Sequence, residues 1–408
     1  MTSARTIISI LVALHALAFC LLPCKYSPSP IALWPAFAPN PQGLVIPLTR
    51  KNVRRIAEGK IRGPESVLFS PSTGGMFSLT EHGTLVYIDE KTDDVHTAAV
   101  LSGRPLGGSF SVSESTPTTD VLYVADALKG LLRVSIPTKQ PSPPSSATVT
   151  LVSARVDVPC RPGGGTEILY SDDVSVASKS GLVYFSDASD VGLERVAGDP
   201  SKWDTLGASI VDGLRGKRSG SLLVYDPKTR STKCLADDLW FANGVSVSTD
   251  ESQVLIAETF LSRVHSYSIS TGILSPVVPS SSSSSSSVTP PPFFTGYVDG
   301  LSQSPSLPSV VHVAIPSPSP SAIRLLSHLP DWLHTAVRSL ALRLPPLVKP
   351  EPYGCFVELD YVDGKVRKTY VDEKGEALGM VTSVVERDGK LYLGSLKNDY
   401  IGVVDMVA

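Results

Sequence analysis

The chain has 408 residues, 42% of them hydrophobic, with 36 Lys and Arg against 39 Asp and Glu for a formal net charge of −3. That is enough apolar material for one large domain or two ordinary ones. The charges are scattered with no basic run or stripe, which excludes an electrostatic nucleic-acid binder, and 34 Pro with 31 Gly favour turns over long helices.

In chain order, Arg5 precedes an apolar run at 7–22, IISILVALHALAFCLL. Such a run at an N-terminus is a secretory h-region or a short membrane anchor. It is shorter than the ~20 residues that span a bilayer comfortably. An ALA at 16–18 would put cleavage inside the run, so a cleaved signal and a retained type II anchor both stand. The expectation is a signal or anchor at 1–24, a Pro-rich linker at 25–50, and entry to the secretory pathway, ending in the endoplasmic reticulum, at the cell-surface membrane or outside the cell.

From residue 51 onward two kinds of strand alternate. The first kind comprises MFSLT from Met76, VLYVAD from Val121, LVYFSD from Leu182, VLIAET from Val254, VVHVAI from Val310 and LYLGSL from Leu391. Each is followed by one of the second kind: TLVYID from Thr84, LLRVSI from Leu131, SLLVYD from Ser221, VHSYSI from Val264, CFVELD from Cys355 and IGVVDM from Ile401. β-Branched and aromatic residues fill these strands, while Gly, Asp, Ser and Pro fill the gaps. A unit of a few antiparallel strands, about 45 residues in its shortest form, repeated six times, reads as a propeller blade. A lone blade cannot bury both faces, whereas six arranged radially bury them against one another. We therefore expect an all-β, six-bladed β-propeller over 51–408. A closed ring needs no partner to cover its edges, so a monomer is expected.

The long connections lie in the third and fifth pairs. A Pro/Ser loop occupies 137–146, and an eight-serine run followed by VTPPP makes 275–292 a low-complexity insert. Residues 322–348 show helical period: Ile323, Leu326, Leu333, Val337, Leu340 and Leu344, with Arg324, Arg338 and Arg343 beside them. Pro330 divides the stretch and Pro345-Pro346 stops it. It reads as a helical cap packed on the propeller, or as a lid or membrane-surface helix that, with the N-terminal segment, would give membrane association. Of five cysteines, Cys20 and Cys24 lie in or beside the apolar run. Cys160, Cys234 and Cys355 are far apart, with no CxxC or zinc spacing, so disulfides are permitted but not indicated. None of the four Asn begins a glycosylation sequon.

A propeller has a central channel faced by the starts of its innermost strands. Here they read GPESV (Glu65), GRPLGG (104–108), SDDVSV (Asp172, Asp173), FANGV (Asn243) and VTSVV (Thr382, Ser383). Glu65, Asp172 and Asn243 are oxygen donors delivered by different blades to one axis, a set suited to a hard cation such as calcium rather than zinc. Asn243-Gly244 also reads as an ordinary turn pair. No G-x-S-x-G elbow is present, and His82, His96, His265 and His312 have no assignable catalytic role.

The segments GPES, GRPLGG, LYVADALKGLLRV, LLVYDPKTRSTKCLADDLWFANGV, VLIAETFLSRV, YVDGL and GKLYLGSLKNDYIGVVD resemble the strictosidine synthase-like family, in the branch with adipocyte plasma membrane-associated protein and haemomucin. The resemblance runs from about residue 52 to the C-terminus, apart from the Ser/Pro inserts. It implies a six-bladed propeller, similar to gluconolactonase and paraoxonase propellers in which a channel calcium supports ester or lactone hydrolysis. Carried over by position, Glu65 and Asn243 match directly, and Asp172 stands where the family has Asn. After YVDGL the family continues with a Gly-Phe-Pro-Asp-Asn segment carrying further ligands, and this chain continues SQSPSLPSVVHVAI, so an incomplete ligand set is expected. The catalytic Glu of true strictosidine synthases aligns with Thr382, which leaves amine–aldehyde condensation without a base. The Cys that precedes GRPLG in the family is Ser102, and VADALKG holds no Cys, so that family disulfide is absent. Two readings remain: a calcium-assisted, arylesterase-like hydrolase of small-molecule esters or lactones, and a non-catalytic propeller that binds a ligand or partner. The condensing synthase is the weakest.

Overall fold

The structure, a computed structural model, describes residues 25–29, 43–138, 147–278, 294, 296–318, 330–343 and 352–407. The expected signal or anchor at 1–24, the serine run, and 322–329 and 344–348 of the helical insert lie outside the described residues.

Five four-stranded sheets and one five-stranded sheet, each with four antiparallel strands, account for the six predicted pairs. In each sheet the first kind of strand is second from the axis and the second kind is third. The blades follow the chain: Val67–Phe69 to Val95–Val100, then Pro105–Phe110 to Thr148–Ser153, Ser171–Val176 to Ser231–Leu239, and Ala242–Val247 to Leu274–Pro276. The fifth blade runs from Leu301–Gln303 to Lys365–Asp372. The sixth takes Val381–Arg387, Lys390–Ser395 and Ile401–Asp405, then borrows Arg54–Ile56 as its outermost strand. That antiparallel pairing of Arg54–Ile56 with Ile401–Asp405 closes the ring with a strand from the opposite end of the chain.

The cores follow from the alternation. Both faces of an inner strand are buried, as in Val254, Leu255, Ile256 and Ala257, because each blade is sandwiched between two neighbours. Six apolar clusters result, each drawn from adjacent blades. Leu79, Leu85, Leu122 and Leu132 join the first blade to the second. Ile56, Val67, Tyr392 and Ile401 join the sixth to the first.

Two boundaries move. The expected 25–50 linker contains a strand, Leu44–Pro47, paired in parallel with Lys365–Asp372 as a fifth strand of the fifth blade. The expected insert at 275–292 begins later, since Leu274–Pro276 is the outer strand of the fourth blade. The long third-pair connection holds a two-stranded hairpin, Arg195–Val196 with Asp199–Trp203, and then helix α1, Thr205–Arg215. Asp204 caps α1 by accepting from the Gly207 N–H at 2.7 Å, and Gly216 ends it in the left-handed conformation. The fifth-blade insert contains helix α2, Asp331–Ala341, preceded by Pro330 as its cap. α1 and α2 touch across the molecule.

Cysteine pairing is a second addition to the sequence reading. Cys160 and Cys234 form a disulfide spanning 74 residues, and Cys355 is free and buried. The bridge ties the connector between the second and third blades to the outer strand of the third, where Val158 already pairs with Lys233.

Candidate active site

The innermost strands all start at one end of the axis, here termed the mouth. The second-to-third-strand connections, including those that carry α1 and α2, emerge at the same end. The channel between them encloses about 290 Å3 and is lined by residues from all six blades. Glu65, Asp172 and Asn243, the three predicted ligands, all line it and are 6–7% exposed.

Asn243 is not in a turn. It sits with Gly244 inside the strand Ala242–Val247. The glycine is needed for close approach: a Cβ there would lie 2.4 Å from the Asp299 carbonyl oxygen and from the Leu301 N–H nitrogen of the next blade. The turn reading of Asn-Gly is therefore overturned by blade-to-blade packing.

Asp299 is the residue that sequence reasoning missed. It belongs to Tyr297-Val298-Asp299-Gly300, lines the channel, and is hydrogen-bonded by the Asn243 side chain. The fifth blade thus does supply a channel acid, which corrects the expected gap: the acid lies within YVDGL rather than after it. The signal was an acid at or just before the start of an innermost strand, the same placement that singles out Glu65 and Asp172.

Four carboxyls therefore gather at the mouth end. Burial raises Asp172 well above the usual carboxylate range, and Asp299, Glu65 and Asp173 add to the rise. Asp299 is raised in the same way, by burial and then by Glu65 and Asp173. Burial also raises Glu65, opposed by Arg104. The Arg104 guanidinium, 2% exposed, donates to Glu65 Oε2 at 2.7 Å and to the Pro105 carbonyl at 3.0 Å. One arginine thus faces a group of carboxyls that repel one another.

Asp173 serves a different purpose. Its Oδ2 accepts from the Val245 N–H at 2.9 Å and its Oδ1 from the Val174 N–H at 2.8 Å, which fastens the third blade to the fourth. Burial pushes it up to about 7. Thr382 lines the channel as expected, but its Oγ1 donates to the Glu65 carbonyl at 2.9 Å and offers no carboxylate. Ser383, also lining the channel, has a buried Oγ without a hydrogen-bond partner among the described residues.

The donor set is all oxygen, anionic and short of counter-charge, which fits a hard cation. As they stand, no three His, Cys, Asp or Glu side chains among the described residues converge closely enough to ligate one. The Asn243 side chain is engaged by Asp299.

Above the carboxyls lies an aromatic cluster of Tyr170, Phe241, Phe260 and Trp240, with Leu106 from the channel wall, Ala208 of α1, and Tyr26 and Tyr297 at its margin. Tyr170 stacks edge-on to Phe241 at 5.3 Å and donates to the Thr205 carbonyl at 3.2 Å, joining the channel to α1.

A strictosidine synthase family model matches residues 172–272, the stretch that carries Asp172, Asp173 and Asn243. Adipocyte plasma membrane-associated protein of Gallus gallus is 27% identical over 93% of this chain and 84% of its own length. Strictosidine synthase-like protein 3 of Arabidopsis thaliana is 26% identical over 85% of this chain and 83% of its own. Among solved structures, a gluconolactonase of Xanthomonas campestris superposes with a TM-score of 0.54 at 12% identity, covering 87% of this chain and 90% of that one. The calcium-binding protein regucalcin of Agrobacterium tumefaciens gives 0.53 at 12% identity, covering 90% and 96%. At such identity these two speak for the fold alone. The family-model match and these relatives make the chain similar to the strictosidine synthase-like proteins, and the two solved structures agree with its six-bladed β-propeller fold.

Proposed function

We propose that the protein is a calcium-assisted hydrolase of esters or lactones working in the secretory pathway. The observation that carries this reading is the cluster of Glu65, Asp172 and Asp299 with Asn243 at one end of a closed channel, with Arg104 as its only partner cation among the described residues. A hard cation held by Glu65, Asn243 and Asp299 would polarise the substrate carbonyl and absorb the charge that develops on its oxygen. Asp172 has no hydrogen-bond partner among the described residues, and burial, with Asp299 and Glu65 beside it, raises its pKa and so its affinity for a proton. In this reading it takes a proton from the attacking water as the C–O bond forms, and returns it to the leaving oxygen as the ester bond breaks. The aromatic cluster at the mouth excludes bulk water and offers apolar contact to the substrate. Passage through an oxidising compartment is supported by the Cys160–Cys234 bridge and by the apolar run at 7–22.

The test is hydrolysis of aryl esters and lactones by the full chain, with calcium and then with chelator. Calcium-dependent turnover is expected, and Asp299→Ala should abolish the calcium response and lower turnover by about 100-fold, the scale of losing one group that stabilises the transition-state oxyanion. A folded protein with no turnover and no calorimetric calcium binding would favour the alternative, a ligand-binding propeller. The Arg104–Glu65 ion pair, which already neutralises one ligand, is the observation on that side. Condensation of the strictosidine type gains no support, because Thr382 supplies no base.

A further inference from the structure

Four arginines are buried among the described residues, and three of them donate hydrogen bonds. Arg104 serves Glu65 and the Pro105 carbonyl. Arg215 reaches Asp190 at 2.5 Å. Arg338 of α2 donates to the carbonyls of Ser29, Leu214 and Arg215, which joins α2 to the end of α1. The fourth, Arg263, is 6% exposed. It makes no hydrogen bond among the described residues, and its Nε is buried without a partner. A guanidinium carries five N–H donors, and donors taken out of water normally find acceptors.

Arg263 opens the third strand of the fourth blade, directly across from Glu258 at the end of the second. Alternation sends Glu258, Arg263 and His265 to the side of Ile256, which packs against the third blade. Arg218 of the third blade enters the same space. Glu258 is fully buried there, and its two oxygens are already taken. Oε1 accepts from the Trp240 N–H at 2.9 Å and from Arg218 at 3.2 Å, and Oε2 meets His265 Nε2 at 2.7 Å. Arg263 stands 3.9 Å from Oε2, beyond hydrogen-bonding distance. Burial would raise Glu258, but His265, Arg218 and the Trp240 N–H together hold it below the usual carboxylate range. It is therefore ionised, and its single negative charge faces two guanidiniums. Asp238 adds little, since its carboxylate is 60% exposed and 3.7 Å from Arg218. Burial lowers the pKa of Arg263; Glu258 opposes this, and Arg218 adds to it as a like charge.

We infer that this space between the third and fourth blades is a binding site for a small oxyanion, phosphate or sulfate, held by the guanidiniums of Arg263 and Arg218. Guanidinium forks match the oxygens of such a group, and an anion would supply both the acceptors and the negative charge that Glu258 leaves wanting. Arg218, with 39% of its side chain exposed, opens the site to solvent. Glu258 pairs with Ala242, beside the channel residue Asn243, so the site borders the channel without belonging to it. The inference does not depend on the hydrolase reading.

The test titrates the full chain, in chelator and at constant ionic strength, with sulfate or inorganic phosphate in a calorimeter, and melts it in the same buffers. One saturable site is expected, with a thermal midpoint several degrees higher than in chloride. Arg263→Met should abolish the binding. Because it removes a cation that lacks an acceptor, it should melt in chloride no lower than the wild type. A wild type without saturable binding overturns the site, as does an Arg263→Met protein that still binds. A large drop in the chloride midpoint of Arg263→Met would show that Glu258 already satisfies the arginine, and would also overturn it. Arg218→Gln alters a partly exposed side chain and keeps the test open where Arg263→Met does not fold. It should weaken binding about ten-fold, the scale of one charge-assisted hydrogen bond, and unchanged affinity counts against the site. Methyl phosphate separates the two sources of the anion. Affinity equal to that of inorganic phosphate assigns the site to the phosphate of a larger molecule, and binding of the inorganic ions alone assigns it to the free ion.

Discussion

Asp173, Asp187 and Asp212 are three carboxyls whose burial pushes them up to about 7. Each is fastened locally. Asp187 takes the N–H groups of Leu169 and Tyr170 just ahead of Asp172, and Asp212 takes the Ser189 hydroxyl at 2.5 Å. Between about pH 4, where an unfolded Asp titrates, and pH 7, the folded chain keeps protons that the unfolded chain releases. Stability therefore falls as pH rises through that window, and the raised Glu65, Asp172 and Asp299 act in the same direction. Thermal unfolding in chelator should give a midpoint several degrees higher at pH 5.5 than at pH 8, with a shallower slope for Asp173→Asn. A flat profile, or one rising toward pH 8, would contradict this account. At this scale much of the site was legible, because Glu65, Asp172 and Asn243 stand at repeated positions in a repeated unit. Arg104 was visible only as part of GRPLGG. Its partnership with Glu65, across 39 residues, depends on how the first two blades meet.

At the scale of elements, the Cys160–Cys234 bridge holds a connector to the outer edge of the third blade. Reduction, or Cys160→Ser, should cost about 2–4 kcal/mol, the range for closing a long loop. Urea unfolding with and without dithiothreitol measures it, and coincident curves would show that the bridge does not form. The sequence left these cysteines unpaired because their spacing carries no motif; only the packing of the connector along the outer strand of the third blade, where Val158 pairs with Lys233, brings them together. α1, by contrast, had ordinary signals that strand counting passed over: Asp204 and Gly216 at its ends, and Leu206, Ile210 and Leu214 four apart. α2 was anticipated from its period. The direction of Arg338 was not, since a helical wheel cannot show that a second insert waits on the other side.

At the scale of the molecule, ring closure rests on a short strand, Arg54–Ile56, whose Ile56 is 1% exposed between the sixth and first blades. Ile56→Ala should destabilise the whole propeller by about 2–4 kcal/mol. Val45→Ala, on the half-exposed fifth strand of the fifth blade, should change stability by less than about 0.5 kcal/mol. Chemical denaturation of the two variants compares them, and equal losses would mean that the closing strand has no special role.

The sequence by itself determined the architecture. Alternation along a strand and punctuation between strands are local signals, and six copies of them leave few ways to bury every apolar face. Only the tertiary structure decided which side chains meet. Asp299 joins Glu65 and Asp172, Cys160 finds Cys234, and Arg338 reaches Ser29 across 309 residues. Those contacts depend on the angle at which one blade follows another, and no local pattern records that angle.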